Sequence, residues 1–308
     1  MISSGSRHYS FEEVDDRIHA AIARPDGHGI CNSGLVDLGG AALVFDTGLT
    51  PTTAKDLRTG SERALGRPPS IAVNSHWHLD HSLGNQEFST VPIWGTRRTR
   101  EILLEKRDQL MAELTREALE KDIAELEGQR DAMPSESARA DLQFIIQINR
   151  ALLSEVGRLR LTPPDHTFET RLALPGARGA ELISFGSGHT EADAVLFLPK
   201  EKLLFAGDLV VVGLQPSMGS GDPDHWLAVL DQIEHLGVHR IVPGHGPVVT
   251  AAEGIEEIRG YLTGVLEAAG ATVGAVLPAA VRRWEGSLSL KENLRFARSW
   301  VAARNGRK

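Results

Sequence analysis

The hexapeptide His76-Trp77-His78-Leu79-Asp80-His81 constrains this chain more than any other stretch. Histidine supplies only 12 of the 308 residues, so three within six positions is a dense cluster. Neutral imidazole is the commonest metal ligand and aspartate adds a hard oxygen donor, so the pattern is a metal-ligand inventory. Ile71-Ala72-Val73 reads as the end of a short buried strand, and Asn74-Ser75 breaks the run. The ligands then fall on a loop at the carboxyl end of a strand, where α/β layers place their sites.

Three more segments repeat this grammar. Gly188-His189-Thr190 follows the apolar Leu182-Ile183-Ser184-Phe185. Gly207-Asp208 follows Lys202-Leu203-Leu204-Phe205-Ala206, and Pro243-Gly244-His245-Gly246 follows Arg240-Ile241-Val242. Each strand-like run ends in a glycine, which permits sharp turns and close backbone approach, beside a His or Asp. Any one of these histidines alone reads as an ordinary surface or core residue. The ordered set carries the metal reading.

That set, H-x-H-x-D-H, G-H-T, G-D and P-G-H-G, resembles the metallo-β-lactamase-fold hydrolase superfamily over about Asn32 to Val249. By position, His76, His78 and His189 match the first metal site, and Asp80, His81 and His245 the second. Asp208 matches the carboxylate that bridges both metals. Asp46 and Thr190 match outer positions whose hydrogen bonds orient ligands, with a structural turn role as the alternative for both. The resemblance implies an α/β fold, the αββα sandwich. It also implies two zinc ions, with manganese or iron as alternatives for nitrogen and oxygen donors without thiolate. It implies a bridging water of lowered pKa as nucleophile, with Asp80 moving a proton to the leaving group.

Composition bounds the partners. A net charge of −8 argues against nucleic acid, which needs a basic face. The single cysteine, Cys31, excludes an intrachain disulfide framework and fits a reducing compartment. It stands at no matching ligand position and reads as a small half-buried residue. Met1 to Ser10 shows no leader pattern and no long apolar run occurs, so a cytoplasmic protein without a membrane span is expected. His225, His235 and His239 lie on or beside a predicted helix and are expected to face solvent.

The chain reads as one domain, 1–308. A Gly39-Gly40 hairpin joins strands at Leu35–Leu38 and Ala41–Phe45. A helix is predicted from Pro51 to Leu65, a strand near Val91–Trp94, and strands at about 168–174, 180–185, 193–198 and 202–206. Asp222-Pro223 opens a helix with an inward stripe of Trp226, Leu227, Leu230 and Ile233. Residues 251–305 read as helical. Residues 97–160 form an insertion that reads as a helical hairpin: one helix over 97–127 broken by Gly128 and Pro134, then a second over 136–160. It either roofs the active site, with Phe144 and Ile148 facing substrate, or serves as scaffold or a homodimer contact. The loop from Gly213 to Gly221, with Leu214, Gln215 and Met218, is expected to line the substrate entrance.

The bond cut is less constrained. True metallo-β-lactamases usually lack a carboxylate at the position of Asp208. That residue points instead to lactonases, thioester hydrolases such as glyoxalase II, and phosphoesterases. The insertion and the Gly-Asp-Pro-Asp-His-Trp helix start resemble SoxH-like members. The favoured reading is hydrolysis of a small-molecule ester, lactone, thioester or related carbonyl, with slight β-lactam turnover. The alternatives are a mononuclear iron persulfide dioxygenase, a phosphoesterase, or a binding module with structural metal. Structural zinc sites are closed and four-coordinate, which a seven-ligand set does not match.

Overall fold

Two stacked sheets carry the molecule, and the ligand loops leave one edge of the stack. The computed structural model describes residues 5–272 and 275–305. Residues 1–4, Val273, Gly274 and residues 306–308 lie outside the described residues.

The chain opens with two strands that the sequence reading missed, β1 (Tyr9–Asp15) and β2 (Ile18–Ala23). The expected hairpin follows as β3 (Ser33–Asp37) and β4 (Ala42–Phe45). Helix α1 (Pro51–Leu65) starts where Thr50 caps it, its side chain accepting from Thr53 N, with Pro51 in the first turn. Next come β5 (Ile71–Val73), the single-turn α2 (Leu79–Ser82) and β6 (Ile93–Thr96). The insertion is α3 (Arg97–Glu105), α4 (Arg107–Glu113), α5 (Arg116–Ala132) and α6 (Glu136–Glu155), and the chain returns through β7 (His166–Phe168). The second half holds β8 (Arg171–Ala173), β9 (Glu181–Gly186), β10 (Asp193–Leu198), β11 (Leu203–Phe205), α7 (Pro223–His235), β12 (Arg240–Val242) and β13 (Val249–Thr250). Helices α8 (Ala251–Gly270), α9 (Ala279–Arg282) and α10 (Leu288–Asn305) close it.

The first sheet has seven strands in the order β1 to β7, and the second has six in the order β13-β12-β11-β10-β9-β8. Hairpins make β1 to β4 antiparallel, while crossovers make β4 to β7 parallel. Inward residues of both sheets meet in one core, including Val36, Leu43 and Phe45 against Leu196, Leu203 and Phe205. Phe45 and Phe205 lie with ring centroids 6.0 Å apart. The outer face of the first sheet packs on α1 through Leu35, Val44, Ala54 and Leu57. The outer face of the second packs on α7 and α8 through Val195, Leu204, Trp226, Ile233, Ile258 and Leu262. This is the expected αββα sandwich.

The insertion differs from its sequence reading. Its first arm is three helices, because Thr115 caps a new helix with its side chain on Ala118 N. Gly128 breaks nothing: it sits inside α5 with open space where a Cβ would be. Only Leu119 of α5 is buried, whereas α6 buries Leu142, Ile146, Ala151 and Leu152. Glu155, at the end of α6, accepts from Thr52 N at the start of α1, which ties the insertion to the body. No helix among the described residues is long and apolar enough to cross a membrane.

Candidate metal centre

The loops after β5, β9, β11 and β12 bring the predicted ligands together. Donor atoms of His76, His78, His189 and Asp208 lie within 4.8 Å of one another, and so do those of His81, Asp208 and His245. Asp208 belongs to both groups. Its Oδ2 is 3.4 Å from His189 Nε2 and 3.5 Å from His245 Nε2, while its Oδ1 is 3.2 Å from His81 Nε2. Asp80 Oδ2 stands 3.4 Å from both His81 Nε2 and His245 Nε2.

Glycine makes this convergence sterically possible. A Cβ on Gly244 would sit 1.9 Å from Asp208 Oδ1. Gly207, at φ +51°, would place one 2.6 Å from the Ser75 Cβ. The strand-end glycines therefore admit the neighbouring ligand loops.

Hydrogen bonds aim the rings. His81 Nδ1 bonds Asp46 Oδ2 at 2.8 Å, and Asp46 is itself held by Ser75 N at 2.7 Å and Ser75 Oγ at 2.8 Å. His245 Nδ1 donates to the Ile30 carbonyl at 3.0 Å, and His76 Nδ1 meets Ser75 Oγ at 2.9 Å. In each case Nε2 is left facing the cluster. Of the two roles expected for Thr190, the structure shows the turn, since it does not hydrogen-bond any of the predicted ligands. Its N–H and Oγ1–H donate to Asp193, and its carbonyl receives Gly188 N and Ser187 Oγ, so it shapes the turn that carries His189.

Several buried polar atoms here have no hydrogen-bond partner among the described residues, including His76 Nε2, His81 Nε2 and Asp208 Oδ1. An unsatisfied buried polar atom costs about 1–3 kcal/mol, so three in one cluster fit residues that hold a cation. His78 Nδ1 and His189 Nε2 face each other at 3.0 Å. Both nitrogens would hold a cation bound between them, which would replace the contact they make with each other.

The charge states agree. Burial and neighbouring imidazoles hold His76 well below the usual histidine range and His78 at about 3. Burial would raise the carboxyls of Asp80 and Asp208, but His81 and His245 outweigh it and hold both well below the usual range. Burial likewise opposes charge on His245, yet Asp208 and Asp80 push it up to about 10. A cation bound here would replace those protons. The nitrogen and oxygen donors thus fit two divalent ions of the zinc kind.

Sequence reasoning missed the buried amides that brace the loop. Asn74 Nδ2 donates to the His81 carbonyl at 3.0 Å, and Asn85 Nδ2 returns to Asn74 Oδ1 at 2.7 Å. Asn32 Nδ2 clasps the carbonyls of Pro243 and Gly246 around the His245 loop. Their only sequence signal was polar residues beside strand ends. Cys31 is fully buried rather than half-buried, its Sγ donating to the Asp80 carbonyl at 2.9 Å. Burial pushes its thiol up to about 12. His235 and His239 are exposed as expected, but His225 is half-buried, with Nδ1 against the Ser187 carbonyl.

A cavity of about 460 Å³ opens above the cluster, with His78, Asp80, His189, Asp208 and His245 at its base. Phe144, Ile145 and Ile148 of α6 form one wall, and Leu214 and Gln215 another. Met218 does not line it. That side chain is 1% exposed and packs in the core with Leu290, Tyr261 and Leu262, because Asn293 Oδ1 holds its backbone N–H. Trp284, Glu292 and Asn293 complete the rim from the C-terminal segment.

A chain with this sandwich and this His/Asp cluster at its loop end has the architecture of a metal-dependent hydrolase. The family model of the metallo-beta-lactamase superfamily matches residues 26–245, and the chain belongs to that superfamily. Solved structures agree in fold. The DIM-1 metallo-beta-lactamase superposes with a TM-score of 0.58 at 18% identity, covering 83% of this chain and 97% of that one. A metallo-beta-lactamase from Pontibacter korlensis gives 0.57 at 19% identity, covering 83% and 99%. FIM-1 from Pseudomonas aeruginosa, in its mono-zinc form, gives 0.56 at 18%, covering 83% and 95%. Comparison with curated proteins finds no significant relative.

Proposed function

We propose that the chain is a dinuclear zinc hydrolase acting on a small-molecule ester, lactone, thioester or related carbonyl, with at most weak β-lactam turnover. The observation that carries this reading is Asp208, whose carboxylate lies in both donor groups and can link two ions. Two zinc ions would supply Lewis acidity toward the carbonyl and an activated water as nucleophile. The chain's own residues do the rest. His76, His78 and His189 present one face of nitrogen donors, and Asp80, His81 and His245 the other. Asp46 fixes the His81 tautomer, so that Nε2 keeps its lone pair toward the cluster.

Asp80 is the side chain suited to moving a proton. It lies at the base of the cavity and its side chain is 20% exposed, so its carboxylate reaches a bound leaving group. The cavity is of small-molecule size. The test is reconstitution of metal-stripped protein with zinc, followed by an ester, lactone, thioester, phosphodiester and β-lactam panel. Restored hydrolysis of a carboxylic ester or thioester supports the reading. Restored activity confined to phosphodiesters defeats the carbonyl assignment.

A further inference from the structure

The cavity walls carry a charge pattern that bears on the substrate, and the inference drawn from it rests on the hydrolase reading above. No lysine or arginine lines the cavity among the described residues, whereas Asp141 and Glu292 stand on its wall beyond the metal cluster. Asp141 is fixed in place, its Oδ2 accepting the N–H groups of Leu288 at 2.7 Å and Ser289 at 3.1 Å. The neighbouring cations are turned elsewhere. Arg283 lies over the Trp284 ring but pairs with Glu257 at 2.5 Å. Lys291 and Arg295 border other depressions on α10. The rest of that wall is uncharged: Phe144, Ile145, Ile148, Leu214 and Trp284 supply an apolar stretch, and serines, Gln215 and Asn293 its neutral polar part.

Among the neutral polar residues, Gln215 offers a positioned amide. Gln215 Oε1 accepts from Ser287 Oγ at 2.9 Å and Tyr261 Oη at 3.3 Å, which turns its NH2 group away from both. Its NH2 group has no partner among the described residues. A neutral donor of this kind matches a carbonyl, amide or ether oxygen. Recognition of a carboxylate or phosphate in a half-enclosed site relies instead on charge-assisted donors such as arginine or lysine, and this wall has none. The chain's net charge of −8 acts in the same sense at longer range.

We propose that this cavity selects neutral or cationic carbonyl substrates with an apolar body, and rejects those carrying a free carboxylate or phosphate away from the scissile bond. The test uses matched acyl chains on zinc-loaded protein: 4-nitrophenyl hexanoate, mono-4-nitrophenyl adipate and 4-nitrophenyl 6-(trimethylammonio)hexanoate. The neutral and cationic esters should exceed the adipate in kcat/KM by at least about tenfold, which is 1.4 kcal/mol of discrimination. Glu292→Lys, an exposed position, should shift the ratio toward the adipate at least threefold with the melting temperature unchanged. Equal or faster turnover of the adipate overturns the proposal.

A second arm separates this claim from the hydrolase reading. Octanamide and suberic acid monoamide are titrated calorimetrically into metal-stripped protein, where no chemistry occurs. Weaker binding of the anion supports the proposal, and equal or tighter binding overturns it, whatever the ester results. Absence of turnover across all three esters, with the calorimetric preference intact, defeats the ester reading alone.

Discussion

Asp46 Oδ2 and His81 Nδ1 lie 2.8 Å apart, both fully buried, and Asp46 holds this contact from a left-handed backbone at φ 61°. Few side chains other than Asn tolerate that conformation as Asp does. Asp46→Asn therefore keeps the turn while removing the charge that orients and polarises the ring. Zinc affinity should fall about 10–100-fold, read by chelator competition, with the circular dichroism spectrum intact. An unchanged affinity would show that His81 needs no such partner.

Asp208→Ala and His78→Ala should each lower hydrolysis on the order of 10²-fold or more, since direct ligands matter at least as much as their hydrogen-bond partners. His235→Ala is the contrast. His235 is exposed at the end of α7 and, among the described residues, bonds only the Asp231 carbonyl. It should keep activity and change stability by less than about 0.5 kcal/mol. Comparable losses in all three variants would show that the ligand assignment is wrong.

Gly244→Ala tests the packing that lets two loops share Asp208. Its Cβ would fall 1.9 Å from Asp208 Oδ1 and 2.8 Å from the Gly207 carbonyl carbon, so backbone must move. Zinc content per chain should drop, measured by elemental analysis of folded protein. Gly128→Ala is the control: it adds a methyl in open space within α5 and should stabilise by up to about 1 kcal/mol with metal content unchanged.

Polar replacements of Phe144 or Ile148 should reorder the substrates in the panel while zinc content holds, because both line the cavity from α6. The Phe144 ring lies 6.4 Å from that of His245. Met218→Ala should behave differently. It empties core volume and should cost about 2–5 kcal/mol of stability without changing the substrate order. Relative rates that stay at the parent's values in folded Phe144 and Ile148 variants would reduce the insertion to scaffold.

The candidate site was legible because its chemistry is local. His76, His78, Asp80 and His81 sit in one loop, and the others each follow a short apolar run closed by glycine. The sandwich was implied by the family resemblance those motifs carry, and the strand-like runs agreed with it. The strand β1 escaped because Tyr9–Asp15 mixes buried and charged positions at a sheet edge, which blurs the alternation. The Thr115 cap escaped because the charged residues around it suit a continuous helix equally well. The burial of Met218 could not be read from its loop. It depends on Asn293, far along the chain in α10, as does the tie between Asp141 and the start of that helix. Contacts of that range leave no periodic trace in sequence.

Elemental analysis of the purified protein, before and after chelation, tests the two-metal centre most directly. About two equivalents of metal per chain, mainly zinc, are expected, with ester hydrolysis lost on chelation and regained on zinc addition. A single tightly held iron, with oxygen consumed on a persulfide substrate and no hydrolysis restored by zinc, would contradict it.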